Sequence, residues 1–199
     1  EVILNENSRL SYRNDLATAA ERELQLRGEA YFKVQRAPEQ PFRIRTAAAE
    51  VSVLGTAFNL RAPASGESAE LAVTHGRVAF QLHTASEPLI VEKGGLVRWT
   101  PGQTAQVKAA QTTDNYRAWH SRNLQFTNTP LAEVLELLTR TYRIKFVQAK
   151  GSSAEGCLLT GHWKNLSASD AITLLSALTG LEIEAIDATT YRLQGRCAG

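Results

Sequence analysis

The side chains in this sequence that could do chemistry are few and scattered. The four histidines, His75, His83, His120 and His162, share no metal-ligand spacing such as H-E-x-x-H, and each reads as a surface residue before it reads as a ligand. A cluster formed only in three dimensions stays open. Cys157 and Cys197 are not in a C-x-x-C spacing, so neither a zinc site nor a thioredoxin-type centre is supported. They are a candidate disulfide in an oxidising compartment, or two free thiols, and the sequence leaves both readings standing. A bridge closing about 40 residues would contribute about 4 kcal/mol in the loop-entropy model. His162 lies near Cys157, but nothing argues for the lowered pKa that a nucleophilic cysteine needs. Gly94-Gly95 is followed by neither a helix nor G-K-[ST], so no phosphate loop is implied. Glu29, after Gly28, fits a turn or strand edge better than a catalytic carboxylate, and no G-x-S-x-G elbow occurs. Trp99, Trp119 and Trp163 could line a sugar-binding face, although packing is the preferred reading. No catalytic, cofactor-binding or metal-binding residue is assigned, no cofactor is expected, and the chain is not expected to be an enzyme.

The elements that would position these residues sit in a chain of ordinary globular composition. Of its 199 residues, 43% are hydrophobic and 21% charged, so disorder is not expected. The 22 Lys and Arg against 20 Asp and Glu give a net charge of +2 with the basic residues dispersed, which argues against nucleic acid as a partner. No stretch approaches the roughly 20 apolar residues of a membrane span. The sequence starts at Glu1 and has no Met, and it reads as a segment whose anchor, signal peptide or cytoplasmic part lies outside it.

Residues 1–110 read as strands and turns. Residues 15–26 are Ala-rich and would allow a helical turn, but Leu24 and Leu26 alternate with Glu23, Gln25 and Arg27 as in a strand. A glycine then repeatedly opens a short alternating run: Gly28 before Tyr31 to Val34, Gly55 before Ala57 to Leu60, Gly76 before Arg77 to Leu82, and Gly95 before Leu96 to Trp99. Glycine permits the turn, and the alternation puts one side-chain set in the core and the other in solvent. The uneven spacing is not a strict repeat. The expected fold of this part is mainly β, either a sandwich or a solenoid-like stack of short strands.

A polar segment, 111–117, reads as a linker. Residues 118–199 then change pattern. A strand at Asn123 to Phe126 precedes Thr129-Pro130, a predicted helix start with Thr as N-cap and Pro at the first helical position. Leu131, Val134, Leu135 and Leu138 follow at helical spacing. Strands fit Arg143 to Val147 and Leu158 to Trp163. Ser167 and Asp170 mark a second helix start, with Ala171, Ile172 and Leu175 on its apolar face and Gly180 as its stop. Two strands close the chain. The expected order is β-α-β then β-α-β-β, a small α+β domain.

Several of these segments resemble those of the FecR family. Arg27 to Val34 (RGEAYFKV) is similar to that family's hallmark strand. It is followed by Pro41 to Ile44, Val51 to Leu60 (VSVLGTAFNL), His75 to Val78 and Thr100 to Gln103, and preceded by Leu4 to Leu10, which resembles an LN-x-x-S-x-L start. In the second part, Trp119, Leu124, Phe126, Pro130-Leu131, Val134-Leu135, Tyr142 and Gly161 resemble the domain that follows FecR in Bacteroidetes-type regulators, and the element order is similar to the secretin and TonB short N-terminal fold.

The resemblance implies a periplasmic, signal-receiving region of a single-pass inner-membrane anti-sigma factor. Its partner would be the signalling domain of a TonB-dependent outer-membrane transporter. An extracytoplasmic-function sigma factor would be bound only by a cytoplasmic segment missing here, and release could involve partner-controlled proteolysis. Residues 118–199 would carry the partner surface, for which the strand with Leu158, Thr160, His162, Trp163 and Lys164 is the candidate. A free strand edge there could accept a transporter strand, or those residues could simply pack and solvate the domain. The β-rich part would be spacer and relay, with residues 1–10 nearest the membrane. The alternative is a secreted glycan-binding β module.

Overall fold

The computed structural model of the protein describes residues 1–15, 19–110, 112–153 and 156–197. The chain divides into two compact units, Glu1–Thr113 and Asp114–Gly199, each with its own hydrophobic core.

The first unit is all β. Its strands are β1 (Val2–Leu4), β2 (Arg9–Tyr12), β3 (Arg22–Lys33), β4 (Phe42–Arg45), β5 (Ala49–Val53), β6 (Ala57–Ala62), β7 (Ala69–His75), β8 (Arg77–Leu82), β9 (Leu89–Glu92), β10 (Gly95–Trp99) and β11 (Gln106–Ala109). They form one large, nearly closed sheet in the order β11-β10-β7-β6-β3-β4-β5-β8-β9, with β1 and β2 both laid against β3. Among the described residues of this unit, only β3 and β4 run parallel. Neighbours out of chain order, such as β6 beside β3 and β8 beside β5, do not form the in-order stack of a solenoid. The helical turn allowed for 15–26 falls partly on residues 16–18, outside the described residues, and from Arg22 onward the segment is strand.

Alternation along the strands explains the core. In β8, Val78, Phe80 and Leu82 are buried while Arg77, Ala79 and Gln81 face outward, the period of two that a one-sided sheet requires. Phe32 stacks on Phe58 at 5.1 Å and meets Phe42 edge-on at 6.2 Å. Burying a ring of that size contributes about 2–3 kcal/mol.

β3 is the hinge of this unit because it serves two sets of neighbours. Residues 22–27 pair with β4 and β2, and residues 28–33 with β6 and β1. The change of partners falls at Gly28, whose φ is +108°. A Cβ there would fall on the Ser8 side chain and lie 2.8 Å from the Ser8 Cα. Ser8 approaches because its Oγ accepts the Glu29 N–H at 2.8 Å. The buried Glu29 carboxylate takes Asn5 Nδ2 on one oxygen at 2.9 Å and Asn59 Nδ2 on the other at 2.8 Å, while the Glu29 carbonyl accepts the Asn5 N–H. Three sequence motifs far apart in the chain thus meet on one carboxylate and one glycine.

The second unit starts with a 3₁₀ turn (Asp114–Arg117). It continues through α1 (Ala118–Ser121), β12 (Asn123–Pro130), α2 (Leu131–Tyr142), β13 (Lys145–Gln148), β14 (Leu158–Lys164), α3 (Ala168–Thr179), β15 (Glu182–Ala185) and β16 (Thr190–Gln194). β12 and β14 form an antiparallel pair. β13, β16 and β15 form a second sheet in which β13 runs parallel to β16. Leu131, Val134, Leu137 and Leu138 of α2 and Ala171, Ile172 and Leu175 of α3 supply the core. Ser167 caps α3 by accepting the Asp170 N–H at 3.1 Å, and Gly180 closes it at φ +70°. The helix begins one residue later than expected, with Pro130 rather than Thr129 at its N-cap. β12 continues through Pro130, which pairs with Leu158, and Thr129 Oγ1 accepts the Thr127 N–H.

Cys157 and Cys197 are bonded, with their Cα atoms 5.8 Å apart. The bridge ties the segment before β14 to the segment after β16. Backbone and side-chain bonds run alongside it, from Ser153 N–H to the Gly195 carbonyl and from Gly195 N–H to Ser152 Oγ.

Two outcomes follow for stability. Gly28→Ala lowers the stability of the first unit by roughly 2–4 kcal/mol, through strain at positive φ and the Ser8 overlap; urea denaturation with a probe in that unit reads it. Cys157→Ser with Cys197→Ser lowers the stability of the second unit by up to about 4 kcal/mol, and thiol titration of the denatured, unreduced parent finds no free thiol.

Candidate functional site

The candidate site is built on β14 and on the way one edge of that strand is left open. Leu158, Thr160, His162 and Lys164 are exposed, while Leu159 and Trp163 between them are buried. Trp163 is therefore a correction to the surface read from sequence. It is 4% exposed and meets Phe126 edge-on at 5.1 Å with an interplanar angle of 82°, so it is core and cannot touch a partner. Period-two geometry forces this, because a residue next to His162 and Lys164 must point to the opposite face.

The backbone follows the same parity. Asn165 N–H donates to the Arg122 carbonyl, which sets the pairs Leu124 with Trp163 and Phe126 with Gly161 as mutually bonded ones. Beyond the irregularity between Phe126 and Thr129, Leu131 N–H donates to the Cys157 carbonyl, which sets Thr129 with Leu159. The N–H and C=O groups of Leu158, Thr160, His162 and Lys164 therefore point away from β12, and among the described residues no backbone bond occupies them. Leu158, at 59% exposure, adds an apolar contact to this edge.

The other edge of the same sheet is closed. Asn115 turns its side chain onto β12, donating from Nδ2 to the Gln125 carbonyl at 2.7 Å and accepting the Gln125 N–H on Oδ1 at 2.8 Å. One side-chain amide thus replaces a neighbouring strand. Asn115 lies in the 3₁₀ turn that begins inside the polar segment read from sequence as linker. Its role carried no periodic signal, since an amide cap depends on a strand ten residues on. β13 and β15, at the margins of the other sheet, have four residues each, against seven in β14.

Local bonds hold the exposed side chains of β14 in place. Thr160 Oγ1 accepts the Asn128 N–H at 2.9 Å and donates to Asn128 Oδ1 at 3.3 Å. His162 Nε2 lies 2.6 Å from Asn123 Oδ1. Just past the strand, the Leu166 carbonyl accepts from the Tyr142 hydroxyl at 3.1 Å. Burial pushes the Tyr142 phenol above its ordinary range, outweighing the opposing pull of Arg122, whose guanidinium lies over the ring at 5.2 Å, so it remains a neutral donor at neutral pH.

The other side chains singled out from sequence do not converge. His75, His83, His120 and His162 are all exposed, and among the described residues no group of three or more His, Cys, Asp or Glu could hold a metal ion. Trp99 is half-buried against the first core and Trp119 half-buried beside His120, while Trp163 is buried. Among the described residues no helix is long and apolar enough to cross a membrane.

Comparison with known families is specific: the FecR protein model matches residues 1–79 and the model for the FecR C-terminal region matches residues 123–193. The chain belongs to the FecR family. Its fold is similar to two crystal structures of a candidate anti-sigma factor from Parabacteroides distasonis ATCC 8503. The first has a TM-score of 0.72 at 24% identity, covering 97% of this chain and 89% of that one, and the second a TM-score of 0.71 at 24% identity, covering 96% and 88%. At that identity the likeness shows the shared fold. No curated protein matches by sequence.

Proposed function

We propose that this chain is the periplasmic, signal-receiving region of an inner-membrane anti-sigma factor, and that residues 118–199 receive the signalling domain of a TonB-dependent outer-membrane transporter. In this reading the full-length regulator relays transporter loading to an extracytoplasmic-function sigma factor, which a cytoplasmic segment of the regulator engages. The role is regulatory rather than catalytic. The linker and domain limits at 111–117 and 118–199 belong to the same proposal.

The observation that carries the reading is the seven-residue edge of β14, open along Leu158, Thr160, His162 and Lys164, in a sheet whose opposite edge Asn115 has plugged. A partner strand added there gains main-chain hydrogen bonds, with Leu158 and Lys164 as side-chain contacts at its two ends. The glycan-binding alternative would need coplanar exposed aromatic rings, whereas Trp163 is buried and Trp99 and Trp119 are half-buried.

Calorimetric titration of the 199-residue chain with the purified signalling domain of the transporter tests this. The parent binds, and the double variant Leu158→Glu, Lys164→Glu binds at least about tenfold more weakly with a melting temperature within about 2 °C of the parent. Trp163→Ala behaves differently, costing about 3–5 kcal/mol of stability in the second unit. Unchanged affinity in the double variant moves the interface off β14.

A further inference from the structure

The first unit has an unclosed seam of its own, between β9 and β11, which lie at the two ends of the nearly closed sheet. The geometry points to this seam as a second docking site, one that takes an extended acidic polypeptide segment.

The backbone sets the first condition. Lys93 N–H donates to the Gly76 carbonyl, so the residues of β9 bonded to β8 are Leu89 and Val91, and the N–H and C=O groups of Ile90 and Glu92 point outward. On the other side, Ala110 N–H donates to the Gly94 carbonyl, which leaves Val107 and Ala109 of β11 pointing away from β10. Both open edges line one cleft of about 580 Å³. A second groove, of about 500 Å³, runs along the outer face of the same β9 and has small residues, Ser52, Gly55 and Ala79, in its lining.

The side chains set the second condition. Leu54, Ile90 and Val107 are 45%, 51% and 42% exposed, and all three border these two clefts. Arg36, Arg77, Lys93 and Lys108 line them too, with Glu92 as the single acid, and none of the four cations has an ion pair among the described residues. In a chain whose net charge is only +2, this is a local excess of positive charge, with Glu92, directly across the ladder from Arg77, as its one carboxylate.

These conditions select the occupant. Unpaired N–H and C=O groups in strand geometry are satisfied by another strand, and lipid headgroups do not supply that ladder. Short edges flanked by lysine repel a second copy of the same edge and attract an acidic one. Exposed aliphatic side chains beside them match apolar residues alternating with the carboxylates. The segment lies along β9 with its acidic side chains toward Arg77, Lys93 and Lys108. This site is separate from the β14 edge, so its failure would leave the transporter proposal standing.

The test uses a fluorescein-labelled octapeptide of alternating glutamate and valine, titrated into the 199-residue chain with anisotropy as readout. Saturable binding is expected. It weakens at least about tenfold in Lys93→Glu, Lys108→Glu and on raising NaCl from about 50 to about 300 mM. Ile90→Pro removes one outward N–H without touching the β8 ladder and abolishes binding; should it fail to fold, the exposed charge-reversal pair carries the test alone. The proposal is overturned by absence of saturable binding, by equal affinity in the charge-reversed variant, or by equal binding of a lysine–valine peptide. It is also overturned if the chain sediments with phosphatidylglycerol vesicles while leaving the peptide free.

Discussion

β3 can serve two sets of neighbours because its backbone at Gly28 reaches a φ of +108°, which side-chain-bearing residues rarely adopt. Without that kink, residues 22–27 and 28–33 could not pair with β4 and β2 on one side of the change and β6 and β1 on the other. The Glu29 carboxylate then fixes the kink in place. It is buried, and Asn5 and Asn59 give it a hydrogen bond on each oxygen while Ser8 takes its N–H. Burial of a carboxylate without such donors costs several kcal/mol, so the N-terminal segment and β6 are both required where they are. The sheet that curls around Phe32, Phe42 and Phe58 is built outward from this point.

The two units handle open strand edges differently. In the second unit one edge is filled by an amide side chain and the other is left long and open. In the first unit the edges at the seam are four residues each and bordered by lysines. Main-chain hydrogen bonds are generic, so specificity at either place must come from the side chains that flank the edge. On β14 these are Leu158, Thr160, His162 and Lys164; at the seam they are aliphatic and cationic.

Much of this was legible in the sequence, for physical reasons. Alternating apolar residues after turn glycines give the strands of the first unit, and Ser167, Asp170 and Gly180 mark the ends of α3, because caps and left-handed stops are local chemistry. The exposed residues of β14 are legible as a strand. Trp163 is misplaced when the surface is read as a continuous run, since alternate residues must face opposite ways. Thr129-Pro130 looks like a helix start, yet the pairing of Pro130 with Leu158, 28 residues away in sequence, prolongs β12 instead. Asn115 and the Glu29 cluster were invisible for the same reason: each is defined by a partner remote in sequence, and hydrogen bonds of that kind leave no periodicity. The pairing of Cys157 with Cys197 likewise depends on where β14 begins and β16 ends.

The central claim is that the open edge of β14 receives a strand. Amide hydrogen exchange followed by NMR, on the 199-residue chain with and without the transporter's signalling domain, addresses it residue by residue. The account predicts that the N–H groups of Leu158, Thr160, His162 and Lys164 exchange freely alone and become strongly protected in the complex, while Leu159, Gly161 and Trp163, already bonded to β12, change little. Protection that appears elsewhere in the chain while those four amides continue to exchange freely in a saturated complex would contradict it.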